Sequence, residues 1–259
     1  MQPNPLKKAL VEGRYTIGSW VSLCSPIGAE VMGLAGYDWL LIDMEHGPGD
    51  FQTLLHQLQA IGCAGDTTPV VRVQNNDPNI IKRVLDLGAG GVMVPGVRSE
   101  AEARQAITAL RYPPEGQRGI AGVRAGKYGL DKDYLQQAND NICLFLQIEN
   151  GDAVEQAWEI LALPGIDVAF IGPNDLAADL GHTGKLDHPV VLEAITKVEQ
   201  AADKHNVALG TISSGWSEAR VLVERGYRAM SIMGDVSMML RQAQDSVVNF
   251  RAHPCASRD

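Results

Sequence analysis

The chain is poor in cysteine, in aromatic residues and in positive charge, and it has no long apolar run. Only four cysteines occur in 259 residues (Cys24, Cys63, Cys143 and Cys255), and no two form a C-x-x-C pair. Zinc-ribbon and thiol-redox motifs are thereby excluded. Cys63 and Cys143 lie among apolar residues and read as small core hydrophobes. No run reaches the about 18 apolar residues that suggest a membrane-spanning helix. The polar start, MQPNPLKKALVEGRY, has no apolar h-region of a signal peptide, so the expected compartment is the cytosol and no membrane partner is expected. Lys and Arg number 22 against 31 Asp and Glu, a net charge of -9. Nucleic acid would call for a basic face, so no nucleic-acid partner is expected either. There is no G-x-S-x-G elbow, no Walker A sequence and no H-E-x-x-H pair.

What the chain does have is an alternation of short apolar runs with longer helical patterns. The strand candidates are residues 16–23, 38–44, 69–73, 90–96, 142–149, 167–172, 207–213 and 228–234. They are continuously apolar rather than alternating, as expected of parallel strands buried on both faces. Between them, SEAE after Arg98 has the form of a helix cap. A helix is expected from about Asp152 to just before Pro164, and 188–206 is strongly amphipathic. Eight β-α units in a chain of this length match a TIM (β/α)8 barrel of roughly 250 residues, here a single domain over 1–259. A doubly wound sheet is the runner-up, but no G-x-G-x-x-G turn follows the first strand. The longest irregular stretch is 113–130. Its Arg118 and Arg124 either reach an anionic substrate or bridge subunits.

In a barrel the active site lies at the C-terminal ends of the strands. Glu149 closes ICLFLQIEN (142–150), and Asp175 follows IDVAFIG in IDVAFIGPNDL (166–176), one β-α unit later. Two carboxylates on one rim suit a divalent cation that keeps water in its coordination shell. Asp175, like Asn174, is also a reasonable helix N-cap. DWLLIDMEHG (38–47) brings His46 to the rim as a base, with Asp43 placed to orient its imidazole. PVVRV (69–73) brings Arg72. That arginine either clamps a substrate carboxylate or forms a buried ion pair with Glu45 or Asp43. Trp20, Gln147 and Ile212, near the ends of the first, fifth and seventh strands, are expected to touch substrate along with Asn174. His182 and His188 flank the loop after the sixth strand, a place from which to touch a substrate tail. The set as a whole can enolise an oxo acid. No lysine sits at these strand ends, which counts against Schiff-base chemistry.

DWLLIDMEHGP, PVVRV, RYPPEGQRG, LQIEN and FIGPNDLAADLG together resemble the HpcH/HpaI aldolases, over roughly residues 10–250. The resemblance implies a metal-dependent, class II pyruvate aldolase, near those acting on 2-dehydro-3-deoxyglucarate and 4-hydroxy-2-oxoheptanedioate. It implies reversible retro-aldol cleavage of a 4-hydroxy-2-oxo acid to pyruvate and an aldehyde. It implies Mg²⁺, Mn²⁺ or Co²⁺ on Glu149 and Asp175, and enolate stabilisation by Arg72. His46 would serve acid-base chemistry with Asp43, and Gln147 would lie beside the keto acid. Backbone N–H groups at Asn174 and Asp175 would hold the carboxylate. It also implies a homo-oligomer, trimer or hexamer, with the last helix exchanged between subunits. The tail 235–250, rich in Met, Leu, Val and Phe, needs a cover, which is either such a partner or its own barrel. Asn174, where small residues are frequent in the family, and Ser213-Ser214-Gly215, in place of a more apolar turn, bear on the aldehyde side. Two other readings are a citrate-lyase-like cleavage of an acyl-CoA and a non-catalytic barrel that only binds oxo acids.

Overall fold

The computed structural model describes residues 3–253. Eight parallel strands close in chain order: β1 (Thr16–Val21), β2 (Trp39–Asp43), β3 (Thr68–Arg72), β4 (Gly91–Val94), β5 (Cys143–Ile148), β6 (Val168–Ile171), β7 (Ala208–Ser213) and β8 (Tyr227–Gly234). The β8–β1 pairing, Thr16 opposite Ala229 and Ile17 opposite Met230, completes the ring. This is the (β/α)8 barrel expected from the alternation.

Strand side chains alternate between the barrel interior and the helix layer. On the inner side, Trp39, Leu41, Val70, Met93, Cys143, Phe145, Val168 and Phe170 form one buried cluster. Leu40, Ile42, Val71, Val92, Leu144, Leu146 and Ala169 face outward into a second cluster with the helices. Helix α1 (Pro5–Val11) plugs the N-terminal end, its Leu6 and Leu10 belonging to the interior cluster. Gly18 lies beside Trp39 on the neighbouring strand, and a Cβ there would overlap the indole. The bottom and middle are therefore packed, and the two-residue alternation delivers Trp20, Asp43, Arg72, Gln147 and Ile212 to the open C-terminal end.

Around the barrel run α2 (Pro26–Leu34), α3 (Phe51–Ala64), α4 (Pro78–Asp86), α5 (Glu100–Leu110), α6 (Tyr134–Asn141), α7 (Gly151–Glu155), α8 (Ala157–Leu161), α9 (Pro173–Asp179), α10 (Pro189–His205) and α11 (Trp216–Glu224). Ser99 caps α5 by accepting the Glu102 N–H at 3.3 Å, as the SEAE signature indicated. The helix expected after Asp152 is instead two short ones, broken at Gln156 (φ -102°, ψ 15°). Cys63 is exposed on α3 and is not a core residue, whereas Cys143 is fully buried.

Two arginines of the irregular segment before α6 tie it to the helix layer. Arg118 is buried, donates to Asp86 at 2.8 Å and to the Tyr134 hydroxyl at 3.2 Å, and lies over the Tyr112 ring. Arg124 donates to the Leu87 carbonyl. Both are engaged within their own chain, a contact that neither expectation named.

The last helix, α12 (Asp235–Ala252), behaves differently from the others. Its first turn is fixed by Asp235, which is buried, but every residue from Met239 to His253 is exposed. Its own barrel does not cover its apolar side. No helix among the described residues is long and apolar enough to cross a membrane.

Candidate active site

Arg72, the last residue of β3, is the centre of the polar rim. Its Nε donates to Asp43 Oδ1 at 2.9 Å and its Nη2 to Asp43 Oδ2 at 2.8 Å. Its Nη1 lies 2.8 Å from Glu45 Oε2. The side chains of Arg72 and Asp43 are 7% and 5% exposed, so this is a buried, bidentate ion pair. The guanidinium also stacks on Trp20, 4.3 Å from the ring centroid. The ion-pair alternative is thus realised. It does not consume the arginine, because the outward N–H of each terminal nitrogen stays available to a ligand.

The pairing reassigns Asp43. Its carboxylate engages Arg72 and accepts the backbone N–H groups of Glu45 (3.1 Å) and His46 (3.3 Å). It fixes the His46 backbone and makes no hydrogen bond to the imidazole, which differs from the expected orienting contact. The carboxylate facing the ring is Glu45, with Oε2 3.8 Å from His46 Nε2. The imidazole itself is largely exposed at the mouth. Glu45, given no catalytic role by sequence reasoning, bridges Arg72 and His46. Its pKa is raised, by burial first and then by Asp43 and Asp175, against the pull of Arg72 and His46.

Glu149 and Asp175 face the same space from neighbouring β-α units. Glu149 Oε1 accepts the Gly96 N–H at 2.7 Å, and Oε2 accepts Gln147 Nε2. Burial pushes the Glu149 pKa up, the Gly96 N–H opposes the rise, and the charges on Asp175 and Glu45 add to it. Asp175 lies in the first turn of α9, whose N-cap is Gly172 with no side-chain capping bond. Neither Asp175 nor Asn174 is therefore a helix cap. Among the described residues no donor engages the Asp175 carboxylate.

This donor set fits a hard divalent cation. The charge on Asp175 raises the pKa of Glu149 across this space, and oxygen ligands are what hard divalent ions prefer. Gly172 shapes the space: a Cβ there would lie 2.8 Å from Glu149 Oε2. The buried Gln147 Oε1 lacks a hydrogen-bond partner. Among the described residues no three His, Cys, Asp or Glu side chains converge, so the remaining coordination positions would fall to water and substrate oxygens.

The side chains enclose a cavity of about 240 Å³ lined by Trp20, His46, Arg72, Gln147, Asn174, Asp175 and Ile212. Trp20, Asn174 and Ile212 also border a second cavity of about 480 Å³ that runs toward α12. The structure thus brings the residues expected at the site onto one rim. His182 and His188 stack on each other, ring centroids 3.5 Å apart, and line neither cavity. Gly96, whose N–H fixes Glu149, and Gly172 were missed. Their visible signal was a glycine within two residues of the ends of β4 and β6.

The sequence pattern of the HpcH/HpaI aldolase/citrate lyase family matches residues 16–241. The chain is 41% identical over 255 residues to a hydroxypyruvate/pyruvate aldolase of Paraburkholderia phytofirmans, covering 96% of this chain and 98% of that one. It is 40% identical over 250 residues to a 5-keto-4-deoxy-D-glucarate aldolase of Shigella boydii, covering 96% and 97%. The crystal structure of an HpcH/HpaI aldolase/citrate lyase family protein from Burkholderia cenocepacia superposes with a TM-score of 0.93 at 40% identity, over 96% of this chain and all of that one. Barrel, rim chemistry and near full-length similarity agree, and the chain belongs to the HpcH/HpaI aldolase/citrate lyase family.

Proposed function

We propose that the protein is a class II, metal-dependent aldolase that cleaves 4-hydroxy-2-oxo acids reversibly to pyruvate and an aldehyde. The observation that carries this reading is the meeting of Arg72, Gln147, His46 and Asp175 on one small cavity, with Glu149 held by Gln147 at its edge and within electrostatic reach of Asp175. Relatives named as aldolases support it, and they do not favour the acyl-CoA lyase alternative.

Glu149 and Asp175 would hold Mg²⁺, Mn²⁺ or Co²⁺, which when bound supplies Lewis-acid polarisation of the keto group. Arg72 directs its outward N–H groups at the keto oxygen. Its hold strengthens as negative charge develops there, which is differential stabilisation of the transition state. The pairs to Asp43 and Glu45 keep the guanidinium in place before substrate arrives. Gln147 lies beside the keto acid, and the first-turn N–H groups of Asn174 and Asp175, which have no intrahelical acceptor, suit its carboxylate. Trp20 and Ile212 wall the cavity. His46, with Glu45 facing its ring, takes the proton of the 4-hydroxyl as the C3–C4 bond breaks, and that bond's electron pair moves to the enolate. Protonation of the enolate carbon yields pyruvate.

The same reading includes an oligomer, a trimer or hexamer, in which α12 is exchanged between subunits. It rests on the exposed Met239, Leu240, Val247, Val248 and Phe250 of α12 and on the exposed Ile27, Val31 and Leu34 of α2. The test of the activity is Glu149→Ala. Metal-dependent pyruvate release from a 4-hydroxy-2-oxo acid should be abolished, and full activity in that variant would refute the assignment.

A further inference from the structure

Glu149 and Asp175 reach their common space from two separate pieces of chain, so their spacing is set by whatever ties those pieces together. Glu149 is well fixed. It accepts the Gly96 N–H at 2.7 Å, and the next residue, Asn150, is buried and donates to the Val97 carbonyl at 3.0 Å. Asp175 is held differently. No hydrogen bond among the described residues engages its carboxylate, and α9 is only seven residues long with no side-chain cap at its start. The position of Asp175 is therefore the position of α9 as a body.

Asp179 connects the two pieces. It is the last residue of α9 and lies one turn beyond Asp175 on the same side of the helix. Its Oδ2 accepts the Gly151 N–H at 2.8 Å, and Gly151 follows Glu149 by two residues. Its Oδ1 lies 3.6 Å from Arg98 Nη2. Arg98 donates from Nη1 to Asp152 at 2.9 Å, and it belongs to the segment after β4 that supplies the Gly96 N–H. Helix stability does not account for an aspartate here, because a negative charge in the last turn opposes the backbone dipole. The ion pair does not account for it either. The Arg98 and Asp179 side chains are 52% and 33% exposed, and pairs so open to solvent add little to stability.

We propose that Asp179 is a positioning residue for the divalent cation. Through the Gly151 N–H it sets the separation of the Glu149 and Asp175 carboxylates, and Arg98 orients its carboxyl group. This rests on the aldolase reading above, which assigns the metal to that pair. Loss of such an outer partner lowers metal affinity by about 10–100-fold.

The test is calorimetric titration of the metal-free protein with Mn²⁺, for the wild type, Asp179→Ala, Asp179→Asn and Gly151→Pro. Asp179→Ala removes both the bond and the charge. Asp179→Asn removes the same charge but keeps an oxygen for the Gly151 N–H. Gly151→Pro keeps every charge and deletes the donor, at a first helical position that accepts proline and after an extended Asn150 (φ -148°, ψ 159°). Asp179→Ala and Gly151→Pro should bind Mn²⁺ about 10–100-fold more weakly than wild type. Asp179→Asn should stay within about fivefold, the effect of one screened surface charge. Stoichiometry reads the folded fraction separately from affinity, so partial unfolding does not imitate weak binding. Asp179→Ala with wild-type affinity overturns the proposal, and a lowered melting temperature in that protein would mark a purely structural role. Asp179→Asn as weak as Asp179→Ala also overturns it, since charge alone would then carry the effect. Glu149→Ala is titrated alongside. If it loses the metal while Asp179→Ala keeps it, only the role of Asp179 falls. If the wild type binds no Mn²⁺, or Glu149→Ala binds it as tightly as wild type, the metal site of the aldolase reading falls and this proposal with it.

Discussion

Replacing Arg72 with alanine should damage stability and chemistry by separate and calculable routes. The variant loses both bonds to Asp43, at 2.9 and 2.8 Å, and the contact with Glu45 at 2.8 Å. The Asp43 side chain is only 5% exposed, so solvent screening is minor and a buried carboxylate is left without its cation. Removing one partner of such a pair costs about 3–5 kcal/mol. Asp43 keeps the backbone N–H groups of Glu45 and His46, which places the loss near the low end, about 3 kcal/mol. In a chain of this length that lowers Tm by about 6–12 °C. The chemical loss is set by the missing donor to the enolate oxygen, about 10²–10³ in kcat. Thermal melts read the first effect, and exchange of the pyruvate methyl protons by NMR reads the second. Asp43→Asn separates them, since it weakens the pair but keeps the guanidinium. An Arg72→Ala protein that exchanges within about threefold of wild type would refute the role given to Arg72, because losing a donor of this kind costs far more.

Other outcomes follow from the same geometry. Gly172→Ala sets a Cβ 2.8 Å from Glu149 Oε2, and calorimetry should show metal affinity reduced by about 10–100-fold, as for disturbed ligand positioning. In metal-free protein, the raised pKa of Glu149 means that the folded state holds this proton more tightly than the unfolded state. The stability that follows is complete below the unfolded carboxylate range and is lost as pH rises through the folded value. Glu149→Gln, which cannot ionise, should therefore melt higher than wild type near pH 8 and lose that advantage toward pH 4 in scans without metal. Val248→Asp with Phe250→Asp should shift the mass seen by light scattering toward the 27.9 kDa monomer. An unchanged mass would remove α12 from the interface.

The barrel was legible because its strands are apolar on both faces and its strand ends carry the polar residues, from DWLLIDMEH to LQIEN. The same logic placed Glu149, Asp175, Arg72 and His46 on one rim. Pairing was not legible, because it depends on register. Asp43 lies opposite Arg72 in the β2–β3 ladder, which gives the carboxylate to the guanidinium and leaves Glu45 for the histidine. Spacing alone had favoured the nearer imidazole. Asp175 as ligand or cap turned on where the helix begins, and the start of α9 at Pro173 excludes the cap. Cys63 misled because its apolar neighbours belong to an amphipathic helix whose exposed side it occupies. The helix break at Gln156 had no proline or glycine to announce it.

The central claim is that this rim forms and stabilises a pyruvate enolate with the help of a divalent cation. It is tested most directly by following proton-deuterium exchange at the pyruvate methyl by NMR, first with chelator and then with Mg²⁺, Mn²⁺ or Co²⁺ restored. The account predicts exchange only with metal, and its loss in Glu149→Ala. No exchange with any of these metals, or exchange indifferent to chelator, would contradict it.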